Sequence, residues 1–454
     1  AVSESRLTRD QAWILKMKAR FSPAELPADL RGDEADGELS NLLPALSGAM
    51  PGLAATTQRE LIGYFIPPVY AGSKLGGLAN ARALRALDDP QPPVGPIPAP
   101  LPQSGWATLE TTELKIWYDE TQPREAASAQ RVAALFPQVN RALETLTGKR
   151  ILSDAGAHRF RDVNGQEVVW GDGGNGKFDI YIGGLSDMLA LTVPYPPGCS
   201  EVPSFMLIRS SMVSDQESAE AVLSHEFMHV FQNLYTRGHA CKEYTNVDEG
   251  TANWATQHIF PYNDFEHRDD NWYKVGAYSM ADAGYDSWTF YLFMERTLGA
   301  RSIADVLGNY ALLSGVDAVN QALPGGFESR FPDFAIRNWN QTDISEDFQD
   351  WDQLAWTPRD NEYHEAVPHL QVVPDASGNF RYEKEQLMLK PLSRNYYKFT
   401  FDPSIRSVRF GATLGFDRSG KGKLKALIKR AGHDYVVAVS YTHLRAHGLR
   451  RISY

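Results

Sequence analysis

The stretch SHEFMHVFQNLY, residues 224–235, sets His225 and His229 four positions apart, with Glu226 beside the first. In a helix, positions i and i+4 stand on one face, one turn apart. Both imidazoles can then reach one Zn²⁺ at about 2.0–2.1 Å. Glu226 is turned too far to join them easily as a ligand, yet it stays close enough to touch a water on the metal. The H-E-x-x-H pattern thus offers two metal ligands and a general base. The alternative is an amphipathic helix that carries two histidines by chance. A third protein ligand decides between the two, because a catalytic zinc site uses three and leaves its fourth position open.

NVDEGTANWATQ, residues 246–257, supplies that ligand in Glu249, at the start of a helix expected over 247–260 and capped by Thr245 or Asn246. Asn253 lies one turn on from Glu249, shares its face, and could hold a ligand imidazole by a hydrogen bond from behind the metal. With H-E-x-x-H followed at this distance by a glutamate in an E-G-x-A helix, the chain resembles the gluzincin clan of zinc peptidases, to which thermolysin and the zinc aminopeptidases belong. The resemblance is specific over 224–254 and loose over about 170–300. It implies that His225, His229 and Glu249 bind zinc, that Glu226 is the base, and that the fold is zincin-like. Thermolysin-like enzymes place an aspartate where Asn253 stands, and an amide raises the basicity of its imidazole less. The aminopeptidases carry a G-x-M-E-N stretch upstream; PSFMLIRSS (203–211) has no such glutamate, which favours an endopeptidase. Secreted bacterial members with accessory β-domains are the most similar in layout.

The elements that must position these residues are legible as patterns. Residues 1–87 read as short helices, either a pro-segment or a packing arm. Residues 88–103, DDPQPPVGPIPAPLPQ, are a proline-rich linker too stiff to be helical. The metallopeptidase domain is expected over 104–365. Residues 107–119 alternate as a strand, 124–148 read as a long helix closed by Gly148, and 167–185 as strand, glycine-rich turn and strand. Residues 204–212 read as a strand that is either a sheet edge able to pair with extended substrate, as in the clan, or buried on both sides. Ser214 and Glu217 form an S-x-x-E capping box for the active helix. Its buried stripe is Ala221, Phe227, Val230, Phe231 and Leu234. A further helix is expected over 285–299. Strands precede the active helix and helices follow it, which predicts an α+β fold. Residues 366–438 break into short alternating runs, expected as a truncated, β-sandwich-like accessory domain that could hold a polymer or a cell surface. The basic tail 439–454 resembles translated adapter read-through and is expected to be foreign; an ordinary basic tail is the alternative.

Three features stand around this core. A tyrosine donor opposite the metal would stabilise the transition state; Tyr285 and Tyr278 are the candidates, and core packing or surface exposure is the plainer role for either. His239, His258 and His267 read as surface or core histidines. GDGGNGKFD (171–179) resembles a calcium loop with Asp172 and Asp179 as Ca²⁺ ligands, but Gly174 stands where an oxygen ligand is needed, and Asn175-Gly176 signals a hairpin turn instead.

Composition bounds the partners. The 45 basic and 56 acidic residues give a net charge of −11, a balance that repels phosphate backbones and argues against nucleic acid. No apolar run approaches the roughly 20 residues of a membrane span. The two cysteines, Cys199 and Cys241, flank the active helix; a disulfide in a secreted protein is expected over two free thiols. The start at Ala1 fits a trimmed secreted product. The expected function is a secreted zinc endopeptidase acting on protein or peptide. The rivals are a non-peptide zinc hydrolase and a catalytically inactive surface-binding protein on the same scaffold, for which an intact Glu226 would have no use.

Overall fold

A computed structural model of the chain describes residues 7–30, 42–75, 105–156, 158–183, 189–195, 197–198, 201–236, 245–268, 279–313, 315–339 and 347–352, with short pieces between 369 and 453. The linker 88–103, Cys199, Cys241, His239 and Tyr278 lie outside these residues. The expected N-terminal helices are present as α1 (Arg9–Phe21), α2 (Leu42–Ala49) and α3 (Ala55–Leu61). Thr8 caps α1 reciprocally with Gln11.

The alternating run 107–119 is two strands rather than one: β1 (Trp106–Glu110) and β2 (Leu114–Asp119) form a hairpin. Thr111 causes the reversal. Its N–H donates to the Leu114 carbonyl at 2.9 Å, and its hydroxyl accepts from the Leu114 N–H at 3.0 Å. Helix α4 (Pro123–Thr147) follows as expected. Proline opens it where the missing N–H costs nothing, and Gly148 closes it at φ 69°.

The run 167–185 does not form a hairpin. Strand β3 (His158–Arg161) pairs with β4 (Glu167–Trp170), whereas β5 (Phe178–Gly183) enters the main sheet. With β6 (Ala190–Pro194) and β7 (Ser204–Arg209), the sheet order is β1-β2-β5-β7-β6. The inner three strands are parallel and the outer two antiparallel. Strand β7 is therefore not an edge. Phe205 to Ile208 are all buried, and a run apolar on both faces belongs inside a sheet. Among the described residues, the edge at this side is β6.

The helix that carries His225 and His229 is α5 (Gln216–Gln232). Its cap is Asp215, whose carboxylate accepts from the Ser218 N–H at 2.9 Å; the Ser214 hydroxyl turns away to the Ser211 carbonyl. A carboxylate also meets the positive end of the helix dipole, so it displaces the neighbouring serine. The expected stripe is buried, but so is nearly every other residue from Ser218 onward, because the sheet covers one side of α5 and α6 (Thr245–Ile259) the other. One 3₁₀ turn, Tyr285–Ser287, leads into α7 (Trp288–Leu298), followed by α8 (Arg301–Asn309), α9 (Gly315–Ala322), α10 (Gly326–Arg337) and α11 (Asp347–Asp352).

The sheet separates two cores. Leu114, Ile116, Phe178, Ile180, Met206 and Ile208 face α4 and α5, where Phe227 packs 5.1 Å from both Phe136 and Phe178. Trp117, Tyr181, Leu191, Val193, Phe205 and Leu207 face the opposite way and are covered by the N-terminal helices. The fold is mixed α+β. Towards the C-terminus, β8 (His369–Val372) pairs in parallel with β9 (Lys398–Phe401). Two antiparallel pairs join β10 (Ser407–Val408) to β13 (Ile452–Ser453), and β11 (Lys425–Ile428) to β12 (Val436–Ser440). The rest of the expected accessory domain and tail lies outside the described residues. Among the described residues, no helix is long and apolar enough to cross a membrane.

Candidate metal centre

Helices α5 and α6 pack closely and bring the three expected ligands to one point. His225 Nε2 lies 3.1 Å from His229 Nε2 and 3.1 Å from Glu249 Oε2, and His229 Nε2 lies 3.5 Å from the same oxygen. The donor set His225, His229 and Glu249 has the spacing of a metal-binding group.

The ring nitrogens turned away from this point are held. His225 Nδ1 is 2.8 Å from Asn253 Oδ1, and His229 Nδ1 is 2.8 Å from Gln232 Oε1. The amides cannot be reversed without loss. Gln232 Nε2 donates to the Asp248 carbonyl at 2.8 Å and to Thr251 Oγ1 at 2.9 Å, and Asn253 Nδ2 donates to the Tyr285 carbonyl. Amide oxygens accept, so each Nδ1 carries a proton and each Nε2 faces inward. Two such nitrogens and a carboxylate facing one another at about 3 Å repel unless a cation, a proton or a metal ion, sits among them. The donor set therefore fits a divalent cation.

The electrostatics point the same way. Burial alone would push the Glu249 carboxyl up; the facing imidazoles outweigh it and hold the group well below the usual carboxylate range. Burial opposes charge on His229, but Glu249 overrides it and the pKa is raised to about 9. The Glu249 and His229 side chains are 0% and 5% exposed, whereas His225 keeps 14%, so solvent reaches the site from the His225 side.

Glu226 is buried beside the ligands. The Thr192 hydroxyl, from edge strand β6, is 2.7 Å from Glu226 Oε2 and 3.0 Å from the Glu226 carbonyl. It has one proton to give, and the carboxylate is the closer acceptor. Tyr285 stacks its ring on His225, with centroids 5.7 Å apart. The geometry thus defines Tyr285 as a wall of the site.

Gln232, Thr192 and Gly250 are the residues that sequence reasoning missed. Gln232, three positions after His229, gave no signal in the sequence, because α5 is buried on nearly all sides. Gly250 follows Glu249, and a Cβ there would overlap Ser287 Oγ and stand 2.7 Å from Tyr291 Cε2. Glycine is thus what lets α6 approach α7 behind the ligand.

The other candidates lie elsewhere. His258 bonds Glu295 at 2.8 Å, and His267 bonds Asp352 at 2.7 Å. Asp172 and Asp179 do not join a metal-binding group among the described residues. Asp172 accepts from the N–H groups of Gly156 and Gly174, and Asp179 accepts from Trp117 Nε1 and the Tyr181 hydroxyl. Burial, with Asp154 adding to it, pushes the Asp179 carboxyl well up, which suits a neutral group better than a calcium ligand. A surface cavity of about 740 Å³, lined by Gln138, Arg141, His258 and Arg301 among others, includes no residue of the triad. No protein-family model matches the chain, and no curated protein matches it at a significant level.

Proposed function

We propose that this protein is a zinc-dependent endopeptidase. The observation that carries the reading is the convergence of His225, His229 and Glu249 within 3.5 Å, with Glu226 one position from the first ligand and tied to a sheet edge. When bound, zinc would supply Lewis acidity and make water acidic enough to attack near neutral pH. Asn253 and Gln232 hold the two imidazoles in the tautomer that binds metal. Glu226 takes the proton of the attacking water and returns it to the leaving nitrogen. Thr192 orients Glu226 from β6, so base and sheet edge move as one. An extended peptide pairing with that edge would lay its backbone beside Glu226, which favours polypeptide over a small substrate. Tyr285 is the candidate donor to the developing oxyanion. Action outside the cell goes with a Cys199–Cys241 disulfide, which thiol titration of the unreduced, denatured chain checks.

The test is Glu226→Gln, assayed for zinc content and for casein cleavage with and without chelator. Gln keeps the shape and can still accept from Thr192, so zinc stays stoichiometric. Hydrolysis falls by about 10²–10⁴-fold, the usual worth of a general base. Retention of both zinc and near-normal hydrolysis would place the base elsewhere. Zinc binding by the wild type without cleavage of any peptide would favour a binding scaffold, and cleavage of esters alone a non-peptide hydrolase.

A further inference from the structure

A second cluster of ligating side chains lies beyond the loop that follows α6. Asp264, His267 and Asp352 bring one ligand atom each within 4.8 Å of one another, the spacing of a metal-binding group. His267 Nε2 is 2.7 Å from Asp352 Oδ2, and His267 Nδ1 is 3.9 Å from Asp264 Oδ1. The imidazole is further fixed by stacking on Trp288, with centroids 5.7 Å apart.

Charge bookkeeping at this cluster does not close with protein groups alone. Glu266, between two members in sequence, is only 3% exposed, and neither of its carboxylate oxygens has a hydrogen-bond partner. It shares the 3₁₀ turn Phe265–Arg268 with His267, which sets it beside the cluster. Asp352 is also 3% exposed, and its Oδ1 has no hydrogen-bond partner. Glu220 is the contrast on the neighbouring helix. It is equally buried, yet it accepts from Gln216, Tyr262 and Asn263. Besides His267, Arg296 also acts on Asp352, but its guanidinium donates to the Trp351 carbonyl. Two carboxylates thus share one imidazole, and three buried oxygens, both of Glu266 and Oδ1 of Asp352, have no donor. Unpaired buried carboxylates of this kind are rare in proteins because their desolvation is uncompensated.

We propose that Asp264, His267 and Asp352, with the buried Glu266 as a fourth ligand, form a second cation site, separate from the His225 triad. Mixed carboxylate and imidazole donors select a divalent ion of the first transition row, Mn²⁺ or Zn²⁺, over Ca²⁺ or Mg²⁺, which take oxygen ligands. The site is structural. Asp352 ends α11, whereas Asp264 and His267 belong to the segment after α6, so the ion staples the end of the helical region to the loop leaving the Glu249 helix.

The experiment uses the full chain with His229→Ala, which removes the first site. After chelation and dialysis, Mn²⁺ is titrated by electron paramagnetic resonance, and Zn²⁺ content is measured separately. One equivalent of metal is expected, together with a metal-dependent rise in melting temperature. Asp352→Asn on that background should bind none. Glu266→Gln, which keeps volume and fold, should weaken Mn²⁺ binding at least tenfold. If the folded His229→Ala protein takes up neither Mn²⁺ nor Zn²⁺, or if Glu266→Gln and Asp352→Asn bind Mn²⁺ undiminished, the second site does not exist. These readouts are independent of hydrolysis, so their failure leaves the proposed activity standing, and the reverse also holds.

Discussion

Gly250→Ala tests whether the approach of α6 to α7 sets the position of Glu249. The new methyl would overlap Ser287 Oγ and stand 2.7 Å from Tyr291 Cε2 and 3.1 Å from Ser287 Cβ. Both side chains serve the first turn of α6: Ser287 Oγ donates to the Asn246 carbonyl at 2.5 Å, and the Tyr291 hydroxyl donates to it at 3.1 Å. Overpacking of this kind costs about 1–3 kcal/mol. Leaving the buried Asn246 carbonyl without donors adds about 1–3 kcal/mol. The better helix propensity of alanine returns about 1 kcal/mol. The net expectation is a loss of roughly 1–5 kcal/mol. Because the shift falls next to Glu249, zinc affinity should drop by about tenfold or more, as for other residues that support a ligand. Thermal denaturation of the metal-free chain and chelator competition for zinc measure the two effects. The double variant Gly250→Ala with Ser287→Gly clears one of the two obstacles, so it should be more stable than the sum of the single changes by at least ~0.5 kcal/mol. A Gly250→Ala protein with wild-type melting temperature and zinc affinity would refute the reasoning.

Three further outcomes are expected. Gln232→Leu leaves His229 Nδ1 without its acceptor and should weaken zinc binding by about 10–100-fold with little change in fold, read by chelator competition and circular dichroism. Zinc must displace the proton that Glu249 holds on His229, whose pKa is raised to about 9. Affinity should therefore climb with pH up to that value, with about one proton released per ion in calorimetry across buffers. Burial raises the Asp154 carboxyl from 3.8 to about 7 despite its bond from Tyr195. A folded-state pKa above the unfolded value means its stability is complete below about pH 4 and is lost as pH rises through 7. Asp154→Asn should flatten the dependence of melting temperature on pH across that window.

How much of this was legible in the sequence follows from how local each feature is. The convergence of His225, His229 and Glu249 on one point was readable because i and i+4 geometry is a property of one helix, and Glu249 opens the next. The closing of α4 at Gly148 was readable for the same reason. The place of β7 was not, because strand order depends on contacts between distant segments; only the burial of Phe205 to Ile208 on both faces marks it as interior. The cap of α5 was misplaced by one residue because Ser214 and Asp215 can both cap, and the S-x-x-E pattern hides the dipole attraction that favours the carboxylate. Gln232 was hidden because a helix buried all round has no polar face from which an inward amide would stand out. The meaning of Gly250 needed the position of Ser287, 37 residues on in sequence.

The covering of the sheet's second face by α1 to α3 has a consequence for how the chain comes to be folded. These helices emerge from the ribosome before the sheet, yet the surface they bury is built from Trp117, Tyr181, Leu191, Val193, Phe205 and Leu207. Until β6 and β7 have been made, Met17, Leu43, Phe65 and their neighbours have nothing to dock on. Long-range closure of this kind slows folding and leaves apolar surface open to wrong partners in the meantime. The earlier segment must therefore wait for the later strands, and it locks down after them although it precedes them in the chain. A chain cut within the proline-rich linker 88–103 should yield two pieces that each aggregate alone and recover solubility only when refolded together.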